Sequence, residues 1–131
     1  MTHSRGTRKV SAMRDCVFCK IIDGTLPAKM VAKFHLAVAF KPLNPVTEGH
    51  ILVVPKRHVT DFAEDPKVTS RTMAYASRLA YWIGGDFNLI ASKGVEATQT
   101  VFHLHVHLVP RVPGDGLALP WTGQTAHDHE S

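Results

Sequence analysis

The chain has 131 residues, of which 44% are hydrophobic and 20% charged, a length and balance suited to one globular domain with a single core and too short for two. A net charge of +4 suggests nucleic acid until it is located: Arg5, Arg8, Lys9 and Arg14 fall in the first 14 residues with no acid among them, and without those four the 15 basic side chains only match the 11 acidic ones. The excess belongs to a Ser-, Thr- and Gly-containing stretch that reads as a disordered basic tail over 1–15, so a specific nucleic-acid partner is not expected.

In chain order, Cys16 to Ile22 reads as a short helical turn closed by Asp23-Gly24. Lys29 to Phe34 and Leu36 to Lys41 form two strands joined by a tight turn. A loop over 44–49, with Pro45 and Gly49, leads into His50-Ile-Leu-Val-Val54, a β-prone third strand stopped by Pro55. From Pro66 to Ile83 the period changes: Val68, Thr72, Ala76, Leu79 and Ile83 recur at three- and four-residue intervals, which predicts one long helix ended by Gly84-Gly85. Asp86 to Ser92 supplies a fourth strand and Val101 to Val109 a fifth. Beyond Pro110 the Gly- and Pro-rich chain is irregular, with Leu117, Leu119 and Trp121 as apolar anchors. Hairpins outnumber crossovers, so the expected fold class is α+β: a five-stranded antiparallel sheet with one long helix and a short N-terminal helix. The domain is expected over 16–121, with a flexible tail over 122–131 in which His127 and His129 are solvated. No apolar run is long enough to span a bilayer, and none follows the basic N-terminus as a secretory signal requires, so a cytoplasmic protein without membrane partners is expected.

The fifth strand carries the most chemistry. In Val101-Phe-His-Leu-His-Val-His-Leu-Val109 every second residue from 103 to 107 is histidine and the residues between are apolar. A period of two turns Leu104, Val106 and Leu108 to a core and leaves His103, His105 and His107 on one face, neighbours roughly 6.5–7 Å apart along the strand. Imidazoles gathered in this way can act as nucleophile, acid, base or metal ligand near neutral pH. Cys16-x-x-Cys19 is a buried thiol pair, a redox pair or half a zinc site; in the last case His58 and His103 are available as the other ligands. The small polar loop from Gly94 to Thr100 offers backbone amides and the Gln99 and Thr100 side chains to phosphate oxygens, or is an ordinary hairpin loop.

These residues resemble the histidine-triad family. The run His103-Leu-His-Val-His-Leu-Val109 matches its alternating motif, and the segments 16–24, 49–59 and 99–103 are similar to family segments in the family order. The resemblance covers residues 16 to 121. It implies a nucleotidyl hydrolase, of the nucleotide phosphoramidase or dinucleoside polyphosphate hydrolase kind, that cleaves the α-phosphate bond of a nucleoside monophosphate ester, anhydride or phosphoramidate. The middle histidine, His105, is implied as the nucleophile that forms a covalent nucleotidyl-histidine, and His107 as a positively charged hydrogen-bond donor or general acid at the phosphate or leaving group.

By the same resemblance Gln99, Thr100 and His50 fall at phosphate-contacting positions, and Phe18, Ile21, Phe40 and Leu43 form an apolar slot for a purine base. Zinc-containing members match Cys16, Cys19, His58 and His103 to a structural zinc with no open coordination position. Family members commonly pair as homodimers, for which Tyr75, Leu79 and Trp82 offer apolar surface unless they are core. The chain departs from the family pattern at Pro42, where an aspartate usually holds the ribose, with Asn44 nearby as a substitute. It departs again at Ser92 and Thr98, where asparagine and glycine are frequent. Two other classes share these residues: a non-catalytic nucleotide-binding sensor or scaffold, and a metallohydrolase with all three histidines on a catalytic metal. The latter requires further ligands nearby, whereas Pro110-Arg111 follows the strand.

Overall fold

The computed structural model describes residues 15–118; the basic tail up to residue 14, and Leu119, Trp121, His127 and His129, lie outside the described residues. The elements run α1 (Val17–Ile22), β1 (Lys29–Lys33), β2 (Ala37–Lys41), β3 (Ile51–Pro55), α2 (Pro66–Ile83), β4 (Asp86–Ile90) and β5 (Val106–Arg111), with a 3-10 turn at Val95–Ala97. The strands form one antiparallel sheet in the order β1-β2-β3-β5-β4, so the expected α+β architecture holds. Among the described residues no helix is long and apolar enough to cross a membrane.

Helix α2 spans the predicted range because its signals agree. Asp65 caps the first turn by accepting from the Lys67 N–H at 3.1 Å, Pro66 fits the first helical position, and Gly84 ends the helix at φ 77° while its N–H reaches Ala80 O. Its Ala76 and Leu79 pack on Ala39, Ile51, Val53, Val106 and Leu108, which the strand period brings to one face of the sheet. Side chains as large as Leu79 and Leu108 each stabilise the domain by roughly 1.5–3 kcal/mol when buried. Leu79 is therefore core, Tyr75 stacks on Phe34 at 4.4 Å, and Trp82 remains 62% exposed.

The opposite face of the sheet carries α1. Six residues are too few for a helix to hold itself in water, so α1 depends on its contacts. Phe18 and Cys16 sink into a second core with Val38, Phe40, Leu52 and Val54. Cross-strand register links this core to the histidines: Phe40 pairs with Leu52, Leu52 with His107, and His107 with Ile90.

The fifth strand is shorter at its start than expected and longer at its end. It begins at Val106, so His107 lies within it and His103 and His105 occupy the irregular approach. Pro55, the last residue of β3, has no N–H with which to continue the ladder, and its carbonyl instead accepts from the His103 ring at 2.8 Å. Leu104 N–H meanwhile reaches across to Val59 O. At the other end β5 passes through Pro110 to Arg111, because β3 pairing stops at Ile51–Leu108 and leaves only β4 alongside. Gly49, at φ 86°, fits beside this proline; a Cβ there would lie 3.0 Å from Pro110 Cγ.

Candidate active site and metal cluster

The cysteine spacing and the start of α1 bring two thiols to one helical turn. Cys16 Sγ accepts from the Cys19 N–H at 3.4 Å, so this side chain also caps the helix. His103 Nδ1 lies 3.3 Å from Cys16 Sγ and 3.5 Å from Cys19 Sγ, while His58 Nδ1 lies 3.2 Å from Cys19 Sγ and 3.1 Å from His103 Nδ1. The four ligand atoms fall within 4.8 Å of one another. A tetrahedral zinc with bonds of about 2.0–2.3 Å separates its ligands by roughly 3.3–3.8 Å, so the donor set and its dimensions fit a metal ion.

The electrostatics agree. Burial, then the hydrogen bond and charge of Cys16, push the Cys19 thiol up to about 12, and burial pushes His103 down to about 4. Two thiolates this close need a cation between them, whereas a neutral imidazole is already in its ligating form. The Pro55 carbonyl accepts from His103 Nε2, which leaves the Nδ1 lone pair facing the thiols.

The other two histidines are oriented by the same device with different outcomes. His105 Nδ1 lies 2.8 Å from the His103 carbonyl, which only accepts. The proton is therefore on Nδ1, and the lone pair is on Nε2. For His107 the argument starts at Val46, whose backbone N–H donates to His50 Nδ1 at 3.1 Å. A neutral His50 then carries its proton on Nε2 and donates to His107 Nδ1 at 2.9 Å, so His107 carries its own on Nε2. Burial lowers the pKa of both His50 and His105. Burial, followed by the charges of His105 and His50, pushes His107 down to about 4. Without a phosphate in the cleft, burial and these charges favour the neutral form of His107, an Nε2–H donor, over the imidazolium that the resemblance implies.

His105 and His107, with ring centroids 5.1 Å apart, open on a cleft of about 370 Å³. His50, Ser92, Thr98 and Thr100 contribute to its wall. Asn88 and Ile90 of β4, Val109 and Arg111 of β5, and Leu117 and Ala118 of the returning chain line the remainder. Thr98 sits at φ 70°, the left-handed region that glycine occupies without strain.

Several sequence-predicted positions have other duties. Gln99 borders the cleft, but its side chain is committed to the loop: Oε1 accepts from Gly94 N, and Nε2 donates to Thr60 O and Val101 O. It holds the polar loop in shape with its amide. Phe18 and Phe40 pack edge to face at 5.6 Å and are almost wholly buried, with half-buried Ile21 against the same core, whereas Leu43 is 97% exposed. Phe18 also meets the His105 ring edge-on at 5.0 Å, so the apolar cluster buttresses that histidine. Sequence reasoning missed Asn88, Val109, Arg111 and Leu117 as lining residues. The signal was available for two of them, since Val109 and Arg111 continue the alternation of His105 and His107.

A model of the HIT domain family matches residues 23–114. An uncharacterized HIT-like protein of Methanocaldococcus jannaschii is 38% identical over 109 residues, covering 77% of this chain and 82% of that one. The adenosine 5'-monophosphoramidase of Saccharomyces cerevisiae is 35% identical over 112 residues, covering 83% and 71%. Among solved structures, a Zn-bound histidine triad family protein from Mycobacterium smegmatis superposes with a TM-score of 0.71 at 35% identity, covering 81% of each chain.

Proposed function

Because the chain belongs to the HIT domain family, we propose that it is a nucleotidyl hydrolase that cleaves the α-phosphate bond of a nucleoside monophosphate derivative through a covalent nucleotidyl-histidine on His105. The observation that carries this reading is the bond from His105 Nδ1 to the His103 carbonyl, because it leaves the Nε2 lone pair of a neutral imidazole beside the cleft. That nitrogen forms the bond to phosphorus as the bond to the leaving group breaks. The imidazolium so created keeps its Nδ1–H on the carbonyl, which stabilises the positive charge. The amine takes up one proton from solvent as it leaves; water then attacks phosphorus and gives one proton back, the P–N bond to His105 breaks and neutral His105 returns. His107, held as an Nε2–H donor by His50, hydrogen-bonds the phosphate oxygens or the leaving atom. The exposed hydroxyl of Thr100 is a further phosphate contact, and a purine base rests against half-buried Ile21, on the side backed by the buried Phe18 and Phe40.

The charge of the cleft favours one leaving-group class. Among the described residues lining it, Arg111 is the one side chain with a permanent positive charge, and Asp115 offsets that charge at 2.8 Å. A polyphosphate leaving group would find no compensating cation there, whereas an amine needs none, so the phosphoramidate substrate is the one supported. Cys16, Cys19, His58 and His103 would hold a structural zinc. When bound, the metal cross-links α1 to the approach of the catalytic strand, and the thiols that hold it suit the reducing cytoplasm. A homodimer through the outer edge of β4 and the exposed end of α2 covers Leu89, Ile90 and Trp82; light scattering at the mass of a monomer would exclude it.

The test is to incubate the protein with an adenosine phosphoramidate and with a diadenosine polyphosphate and to look for adenylylated protein by intact mass. Faster turnover of the phosphoramidate and a covalent adduct absent from His105→Ala are expected. Turnover by His105→Ala at the wild-type rate would sink the mechanism. Nucleotide binding without any turnover would leave the sensor reading in its place.

A further inference from the structure

Past the histidines, β5 ends in an arginine whose guanidinium is held on three sides. Arg111 Nε donates to Asp115 Oδ2 at 2.8 Å and Nη2 to Asp115 Oδ1 at 3.2 Å, a two-point fork. Nη1 donates to Asn88 Oδ1 at 2.7 Å, and Nη2 also donates to Leu117 O at 2.7 Å. Asp115 in turn accepts from the backbone N–H of Val112 and of Leu117 at 3.2 and 3.0 Å, so each of its oxygens has two donors. Its side chain is only 8% exposed. The result ties β4, β5 and the returning chain into one unit, with Gly114 and Gly116 at φ 73° allowing the chain to fold back. That return brings Leu117 and Ala118 to the wall of the cleft opposite the polar loop.

We infer that the Arg111–Asp115 pair is a positioning clamp that makes the returning segment a wall of the leaving-group half of the cleft, and so sets the size and apolar character of the leaving group accepted; this rests on the nucleotidyl-hydrolase reading. The division of the cleft supports it. His105, His107, Val109 and Arg111 share one face of the chain, so the reactive nitrogens open on one half and Val109, Asn88 and Leu117 line the other. The apolar nucleoside side, around Phe18 and Phe40, lies across the histidines over β2 and β3. With the nucleoside on that side, the part of the cleft lined by Val109 and Leu117 is left for the leaving group. Because Arg111 is neutralised and most of its N–H groups are committed, this half recognises shape and apolar contact. A bulky arylalkyl amine therefore depends on the wall, whereas ammonia does not reach it.

The experiment compares two substrates that share adenosine monophosphate and differ only in the amine: adenosine phosphoramidate, which releases ammonia, and its N-arylalkyl derivative. Asp115→Ala is expected to lower kcat/KM for the arylalkyl substrate by about 10-fold, mainly through KM, the scale of a lost apolar pocket contact, and to leave the ammonia-releasing substrate within about 2-fold. Asp115→Asn keeps the volume but loses the charge, should show a smaller split, and carries the test alone if Asp115→Ala does not fold. Parallel losses for both substrates, or a change confined to Tm, would overturn the clamp's role in selectivity. Failure of the wild-type protein to turn over either substrate would overturn the hydrolase reading itself.

Discussion

His103 and His105 are two residues apart and chemically identical, yet they belong to two different regions. The first is fully buried in the thiol cluster, with Nε2–H on the Pro55 carbonyl and Nδ1 turned to sulfur. The second faces the cleft, with Nδ1–H on the His103 carbonyl and Nε2 as its lone pair. The tautomers are opposite, and in each case a backbone carbonyl chose. A histidine's role here is set less by its neighbours in sequence than by which of its nitrogens a fixed acceptor has already taken.

The sharpest way to break this contrast is to remove each ring in turn. His105→Ala should lower turnover by at least about 1,000-fold, as losses of catalytic nucleophiles do, while metal content and Tm stay close to wild type. Loss of metal from His105→Ala along with its activity would merge the two regions. Conversely, Cys19→Ser should release the metal, measured by elemental analysis, and destabilise the fold by more than about 2 kcal/mol. A chelator should then abolish activity only as fast as the protein unfolds; immediate loss with the fold intact would mean catalytic metal.

His50→Ala removes the donor that orients His107. Turnover should fall by roughly 10- to 100-fold, less than the full contribution of a positioned proton donor, with kcat affected more than KM. An unchanged kcat would mean that His107 keeps its tautomer unaided. The pH dependence comes next. His107 has its pKa lowered to about 4 from 6.5, so between those values the unfolded chain binds more protons than the folded one. Stability is therefore full above about pH 6.5 and lost as pH falls toward 4. A Tm profile measured over this window should be flatter for His107→Asn than for wild type, and parallel profiles would remove the linkage. Thr98→Gly is the mildest change: relief of left-handed strain of about 1–2 kcal/mol is set against the entropy glycine loses, about 0.5–1 kcal/mol, leaving a gain of up to about 1.5 kcal/mol by denaturant melts.

Much of this was legible beforehand because it is local. Helix α2 was readable to both ends, since Asp65-Pro66 and Gly84 act within a turn of themselves. The period of two told which side chains of the last strand meet the core, although not where pairing begins. The Cys16-x-x-Cys19 spacing puts both thiols on one turn of a helix, which prepares a metal site. Other features depend on partners far along the chain. The start of β5 moved to Val106 because Pro55, roughly 50 residues earlier, cannot extend the ladder. The Gln99 amide looked available to phosphate until Thr60 and Gly94 claimed it. Leu43 has the composition of a slot residue, and the loop that carries it leaves it in solvent.

By itself the sequence determined the elements, the alternation that sets histidines against core residues, and the two groups of candidate ligands and nucleophiles, because spacing along a regular backbone fixes which side chains share a face. Only the tertiary structure decided which nitrogen each imidazole presents, that burial and neighbouring charge lower the pKa of His107, and that Arg111 pairs with Asp115. Those outcomes depend on carbonyls, burial and counter-charges delivered by other strands, and no local pattern carries that information.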